Sequence, residues 1–412
     1  MASEAPVLIV GAAMGGLRAA EALRKSGYAG SLTVLGEELH APYNRPPLSK
    51  EVLSTEVTHA AVAFPSRAET ADVTWKLGHR AVALDIAGHT ITTDDGRNHD
   101  WSALVIATGL RARRLPGLPD LPGRHAVRSL DDAMALRKEL VPGARVVVVG
   151  SGFLGCELAA TATRLGCVVT VVTSSVEPMI RPLGHMLAAA LRSRLEEDGV
   201  AFITESSVES LTSHEGRLRG VVVAGGDLIH ADVMIEAIGS DCNTEWLEGN
   251  GLDLSDGVLA DNALRVELAD GGVLDNAGVL DNVYAVGDIA RFPNPMFDDV
   301  PRRIEHWNIP TDTGKRAGAV LGSWLAADGS FEQVVAKPFA PMPSFWSNQF
   351  ELKLQAFGLP GLADPDGISI LEGDLAGNVA VGYHRGARLV GVVGVGLKAA
   401  LLPYRQQIAA GS

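Results

Sequence analysis

The most telling residues of this chain are glycines that recur in one pattern at the ends of two short apolar runs. Gly11-Ala12-Ala13-Met14-Gly15-Gly16 follows Val7-Leu8-Ile9-Val10, and Gly150-Ser151-Gly152-Phe153-Leu154-Gly155 follows Val146-Val147-Val148-Val149. In a strand–GxGxxG–helix unit the glycines permit a tight turn and close backbone approach to a pyrophosphate. The helix N-terminus then supplies free N–H groups and a partial positive charge. An acidic residue about 20 positions further on accepts hydrogen bonds from the ribose. Glu37 stands 21 residues after Gly16, with Glu38 beside it, and Ala13 replaces the middle glycine. The second unit has all three glycines and adds Glu157 two residues beyond the last. Its next apolar run closes in Thr173-Ser174-Ser175, hydroxyls where a carboxylate would mark NAD. Glu177 and Arg181 lie off the expected position. Two such sites predict two dinucleotides, and the reason to hold two is to pass electrons between them.

The elements that must position these residues follow from periodicity. Strand 7–10 leads into a helix over about 15–26, where Leu17, Ala20 and Leu23 have helical spacing, then Gly27 and strand 31–36. After a Pro-rich loop and an alternating run at 89–93, strand 103–107 ends in Ala107-Thr108-Gly109. The plan repeats as strand 145–149, helix 154–165, Gly166 and strand 168–173, closing with the apolar stretch Val233 to Gly239. The chain then turns loop-rich, giving Val286-Gly287-Asp288 and a helix over 312–326 that returns to the first domain. Short strands and a helix near 397–408 finish it. The expected fold class is α/β, with two Rossmann-like dinucleotide-binding domains and a C-terminal α+β domain. The expected boundaries are 1–113 with 246–327, then 114–245, then 328–412.

Composition narrows the partners. The 412 residues are 47% hydrophobic and 20% charged, as in globular chains, and lack a run able to span a bilayer. A signal peptide is not expected, because the first apolar run leads directly into Gly11. A net charge of −14 argues against nucleic acid and anionic membranes. Cys156, Cys167 and Cys242 form no metal or disulfide spacing and read as buried small residues. Metal ligation is not expected, and the expected compartment is the cytoplasm.

Pro42-Tyr43-Asn44-Arg45-Pro46-Pro47-Leu48-Ser49-Lys50 resembles the PYxRPPLSK loop of the flavoprotein ferredoxin reductases serving bacterial oxygenases, the putidaredoxin reductase type with a glutathione-reductase-like fold. The resemblance continues through Ala107-Thr108-Gly109, Arg128-Ser129-Leu130-Asp131-Asp132-Ala133, Ala285-Val286-Gly287-Asp288, Glu305-His306-Trp307 and Phe345-Trp346-Ser347-Asn348-Gln349, collinear over about residues 6–360. It implies FAD at the first turn, held by Gly11, Met14, Gly15, Gly16, Glu37, Arg45, Lys50, Val82, Ala107, Thr108, Gly109, Arg128, Asp288 and Trp307. It implies NAD(P)H at the second, held by Gly150, Gly152, Phe153, Leu154, Gly155, Glu157, Ile238 and Gly239. NADH is the expected donor, with NADPH as the alternative. The resemblance places Lys50 near flavin N5, paired with Glu157, and Trp346 at the flavin edge. Arg45 suits a pyrophosphate and Asp288 ribitol hydroxyls. The stretch Asn308-Ile309-Pro310-Thr311-Asp312-Thr313-Gly314 departs from its relatives' pattern but keeps a sound helix start.

Residues 38–60 contain no cysteine, which argues against the thiol chemistry of disulfide reductases and peroxidases of this fold. The flavin is then the expected redox centre, taking two electrons from the nicotinamide and yielding them singly to a small acidic [2Fe-2S] ferredoxin. The alternatives are a rubredoxin or quinone reductase, or a redox-sensing FAD protein like apoptosis-inducing factor. The expected assembly is a monomer or weak homodimer. Arg302, Arg303, Lys315 and Arg316 are the expected docking rim for the acidic partner.

Overall fold

The computed structural model describes residues 6–65, 67–269 and 278–411. Residues 1–5 and 270–277, parts of the first expected domain and of the loop-rich stretch, lie outside the described residues, as do 66 and 412. Both expected βαβ units are present. In the first, β1 (Val7–Val10), α1 (Met14–Lys25) and β2 (Leu32–Gly36) carry an entirely buried strand pair, with Leu17, Ala20 and Leu23 on the buried face of α1. In the second, β3 (Arg145–Val149), α2 (Phe153–Arg164) and β4 (Val168–Val172) repeat the pattern within a residue of expectation.

The chain divides into two compact units. Unit 1 comprises residues 1–44, 62–111 and 242–343. Its main sheet has the order Arg265–Glu267, Val279–Ala285, Ala103–Ile106, β1, β2, Thr74–Leu77. Val279–Ala285 runs parallel to Ala103–Ile106, so the late segment does return to the first sheet. The helix expected at 312–326 starts earlier, as α3 (Ile309–Ala326). It carries Gly314, Gly318 and Gly322 at four-residue spacing, one face of a helix. A Cβ on Gly314 would lie 2.6 Å from Gly15 O, and one on Gly318 would lie 2.6 Å from Ala19 O. These glycines let α3 lie backbone to backbone on α1 and hold the start of α1 in place.

Unit 2 comprises residues 45–61, 112–241 and 344–412. Its parallel sheet has the order Ala201–Ile203, β4, β3, Val233–Glu236, Arg124–Ala126. Val147, Val149, Val172, Leu218, Val221 and Met234 form one core cluster between that sheet and the antiparallel strands 208–230. Residues 344–395 form a five-stranded antiparallel sheet with β5 (Ser344–Gln349) at one edge. The closing helix spans Leu401–Ala410 rather than 397–408. No helix among the described residues is long and apolar enough to cross a membrane.

Candidate functional site

In unit 1 the first turn is a steric necessity. Gly11 has φ +120°, and a Cβ there would lie 2.0 Å from Ala107 O; a Cβ on Gly16 would lie 2.0 Å from Gly11 O. Ala13, at φ −101° in extended backbone, is accommodated as the residue before α1. Among the described residues no side chain caps α1 and no acid lies in its first turn, so its leading N–H groups are left for an anion. Gly36 packs so closely on Ala12 that a Cβ would come 2.5 Å from the alanine methyl, which brings exposed Glu37 beside the turn. Glu38 instead accepts a 2.5 Å hydrogen bond from the Tyr43 hydroxyl.

The other expected residues of unit 1 are placed as follows. Asn243 clasps the Thr108–Gly109 loop, donating to Thr108 O at 2.9 Å while its own carbonyl accepts from Thr108 Oγ1 at 2.9 Å. Gly287, which precedes Asp288, lies against Gly15 and donates to Thr313 Oγ1 at 2.9 Å. Thr311 Oγ1 donates to Met14 Sδ at 3.0 Å. Val82 lies at a bulge in strand 81–85 and is 42% exposed; Trp307 is 41% exposed and its indole N–H donates to Asn44 Oδ1 at 3.0 Å. Unclaimed helix N–H groups, an exposed acid and uncovered apolar side chains fit the donor set that FAD requires. Asn243 and Thr313 are supports that sequence reasoning missed. Neither has a local signature, because each acts across a long stretch of chain.

In unit 2 the second turn repeats the first. Gly150 has φ +102°, and a Cβ there would lie 2.4 Å from Ala237 O; one on Gly155 would lie 2.1 Å from Gly150 O. Gly152 faces open space, with nothing within 4 Å of the point where a Cβ would stand, and Leu154 nearby is 40% exposed. Ile238 and Gly239 follow the strand that ends at Glu236. The groove at the uncapped start of α2 fits a pyrophosphate. Thr173, at the end of β4, is buried and its hydroxyl accepts from Ser151 Oγ at 2.8 Å, so it is turned inward; Ser174 is the exposed residue. Glu177 is buried and faces Arg192 at 3.7 Å, while Arg181 is exposed.

The charged centre of unit 2 is Glu157. Its Oε2 accepts from Lys50 Nζ at 2.5 Å and Ser49 Oγ at 2.7 Å, and its Oε1 accepts from Ser347 Oγ at 2.8 Å and Asn348 N at 3.3 Å. Pro46 and Pro47 open the short helix that precedes Lys50, and Thr161 Oγ1 of α2 donates to Ser49 O at 2.7 Å. Loop, helix and β5 thus converge on one carboxylate. Side-chain exposure is 15% for Lys50 and 9% for Glu157, so the pair is largely desolvated. Ser49 and Ser347 lie inside the PPLSK and WSNQ motifs, but their roles depend on this convergence.

Arg45 donates to the carbonyl of Arg128, and Arg128 N donates to Asp132 Oδ2 at 3.1 Å. Ser129 and Asp132 form a reciprocal capping box for the helix Leu130–Arg137, which gives the RSLDDA motif a structural role as well. Trp346 is partly buried on β5, on the face opposite Ser347. Phe345, on the Ser347 face, meets Phe153 of α2 with ring centroids 4.8 Å apart.

Three of the four cations of the expected docking rim have partners within the fold. Arg302 is paired with Asp298, Arg303 with Asp256 and Glu305, and Arg316 donates to the carbonyls of Val334, Val335 and Lys337. Local acids and a helix end claim these cations, leaving Lys315 exposed. The cysteines offer no redox pair: Cys156 and Cys167 are buried, and burial pushes both thiols up.

Residues 5–314 match the pyridine nucleotide-disulphide oxidoreductase family, and residues 344–412 match the reductase C-terminal family. The ferredoxin–NAD(+) reductase component of the biphenyl dioxygenase system of Paraburkholderia xenovorans is 36% identical, covering 89% of this chain and 84% of that protein. A rubredoxin–NAD(+) reductase of Pseudomonas putida is 30% identical, covering 98% of both. The solved covalent complex of putidaredoxin reductase with putidaredoxin is similar at TM-score 0.87 and 26% identity, covering 99% of this chain and 93% of that one.

Proposed function

The chain belongs to the pyridine nucleotide-disulphide oxidoreductase family, and on that premise we propose that it is an NAD(P)H-dependent flavoprotein reductase delivering electrons to the [2Fe-2S] ferredoxin of an oxygenase system. The observation that carries this reading is the desolvated Lys50–Glu157 pair at the start of α2, in a chain with two glycine-rich dinucleotide turns and no thiol pair. The FAD domain is assigned to residues 1–113 and 246–327, the NAD(P)H domain to 114–245, and an α+β domain to 328–412.

Bound FAD would supply the conversion of a two-electron donor into single-electron transfers. The protein's part is binding, orientation and charge. The start of α1 would hold the FAD pyrophosphate and Glu37 the ribose, with Asp288 beside the same turn. The start of α2 would hold the nicotinamide pyrophosphate. Glu157, fixed by Ser49, Ser347 and Asn348, would orient Lys50, and Lys50 would offer a positive charge where negative charge develops. NADH is the assigned donor.

The test is an anaerobic titration of the yellow protein with NADH and, separately, NADPH, followed by addition of a [2Fe-2S] ferredoxin or a rubredoxin. Flavin bleaching by NADH and ferredoxin reduction are the expected results. The 98% coverage of a rubredoxin reductase makes rubredoxin the second acceptor to try. A colourless protein that takes up no FAD overturns the reading.

A further inference from the structure

Glu157 is held from three directions, and one of them comes from the C-terminal sheet, far along the chain from either glycine turn. We propose that Ser347 is a positioning residue for the redox site, orienting Glu157 and through it Lys50; this rests on the functional reading above.

The geometry assigns the hydroxyl a direction. Gln349 Nε2 donates to Ser347 Oγ at 3.0 Å, and Ser347 Oγ lies 2.8 Å from Glu157 Oε1. With its acceptor side occupied by an N–H group, the serine proton is committed to the carboxylate. Ser347 and Gln349 are both fully buried, so no water competes for these bonds. The opposite oxygen has a matching arrangement, because Lys50 Nζ lies 3.1 Å from Ser49 Oγ and Ser49 lies 2.7 Å from Glu157 Oε2. Two serines therefore bracket the carboxylate, one on each oxygen.

The consequence is rotational. Without Ser347, Oε1 retains Asn348 N at 3.3 Å, a weaker contact. The carboxylate, still held at Oε2 by Lys50 and Ser49, is then less restrained against rotation about its Cγ–Cδ bond, and the counter-charge it presents to Lys50 is less sharply fixed. Loss of one hydrogen bond to a charged group gives an expected loss of about tenfold in rate. Because the serine acts through Glu157, its effect must disappear when the carboxylate is already gone.

The experiment uses the full-length FAD-loaded protein and the variants Ser347→Ala, Ser347→Thr, Glu157→Gln and the double variant Ser347→Ala/Glu157→Gln. Two quantities are read: the limiting rate and apparent Kd of flavin reduction by NADH, and the difference spectrum of oxidised FAD on adding NAD+. Ser347→Ala is expected to lower the limiting rate about tenfold, hold the apparent Kd within about twofold and diminish the difference spectrum. Ser347→Thr, which keeps the hydroxyl, is expected to restore both. In the Glu157→Gln background Ser347→Ala is expected to have no further effect. Unchanged rate and spectrum in Ser347→Ala, a threonine variant no better than alanine, or additive losses in the double variant would each overturn the proposal. Should the alanine variant not accumulate, Ser347→Cys, of similar volume but a weak donor, is read by the same criteria. A wild-type chain that binds FAD but is insensitive to Glu157→Gln overturns instead the role given to the ion pair, which separates the two failures.

Discussion

The two glycine turns share the backbone hydrogen bonds that tie them to the neighbouring strands and differ in the side chains at the turn and at the strand end. Gly11 N donates to Leu35 O and Gly150 N to Val172 O, both at 2.8 Å, while Ala107 N and Ala237 N close the neighbouring strands at 2.7 and 2.8 Å. That register sets Gly36 opposite Thr173 and Glu37 opposite Ser174. In the first turn Ala12 and Gly36 touch with no room for a further atom; in the second, Ser151 and Thr173 fill the same place with a hydroxyl pair. The first strand end then presents a carboxylate, the second a hydroxyl. The backbone architecture that would admit a pyrophosphate is therefore common to both, and the two turns differ in the exposed group that follows the strand.

The sharpest way to break the comparison is to close each turn. Gly11→Val places a branched side chain at positive φ against the Ala107 carbonyl, and the purified protein is expected to be colourless. Gly150→Val is expected to stay yellow but to be reduced by NADH about 100-fold more slowly, a strain of about 3 kcal/mol falling on the second site alone. FAD absorbance and anaerobic stopped-flow reduction separate the two. If Gly150→Val also loses its flavin, the sites are not independent.

A smaller effect tests what the second turn adds, namely the charged pair it carries on α2. Glu157→Gln keeps the shape and removes the counter-charge of Lys50, and the rate of flavin reduction is expected to fall roughly tenfold to 100-fold, with FAD content unchanged. Flavin released along with the rate would make the pair structural.

The strand-end difference is sharpened by exchange. Ser174→Glu gives the second turn the acid that the first possesses, and the ratio of NADH to NADPH efficiency is expected to rise about tenfold. The ratio of kcat/KM for the two nucleotides measures it. An unchanged ratio would mean that residues beyond the strand end choose the donor.

The smallest expected effect is a pH asymmetry between the units. Burial pushes the pKa of His306, beside Trp307, down to about 4, so the ring is neutral in the fold while the unfolded chain protonates near 6.5. The unfolded state then binds more protons between those values, so stability is full above about pH 6.5 and declines as pH falls toward 4. FAD release followed from pH 7 to pH 5 should therefore rise on acidification, and His306→Gln should flatten the profile. An equally steep profile in the variant removes His306 as the cause.

Both βαβ units were legible in the sequence to within a residue, because a four- or five-residue apolar run, a glycine turn and helical spacing are local signals. The position of Glu37, exposed just past β2, was legible for the same reason, since strand length and turn geometry place it by counting. The partners of the docking-rim arginines were not legible, because charge in a sequence carries no record of its partners. Arg302 and Arg303 are met by Asp298, Asp256 and Glu305, and Arg316 by helix-end carbonyls. The glycines of α3 were visible at four-residue spacing, but only the approach of Gly15 O and Ala19 O shows what the missing side chains make room for.

Chain order alone thus determined where two pyrophosphates can lie, since a positive-φ glycine and a free helix start are properties of a few consecutive residues. The tertiary structure decided which groups meet at Glu157. Lys50, Glu157 and Ser347 lie more than 100 residues apart in sequence and come within hydrogen-bond distance only because loop, α2 and β5 pack on one another. Thr173 was turned inward by a tertiary contact, with Ser151, leaving Ser174 as the exposed residue. Local geometry is written in neighbouring residues, whereas the desolvation and direction of a charge depend on every element that surrounds it.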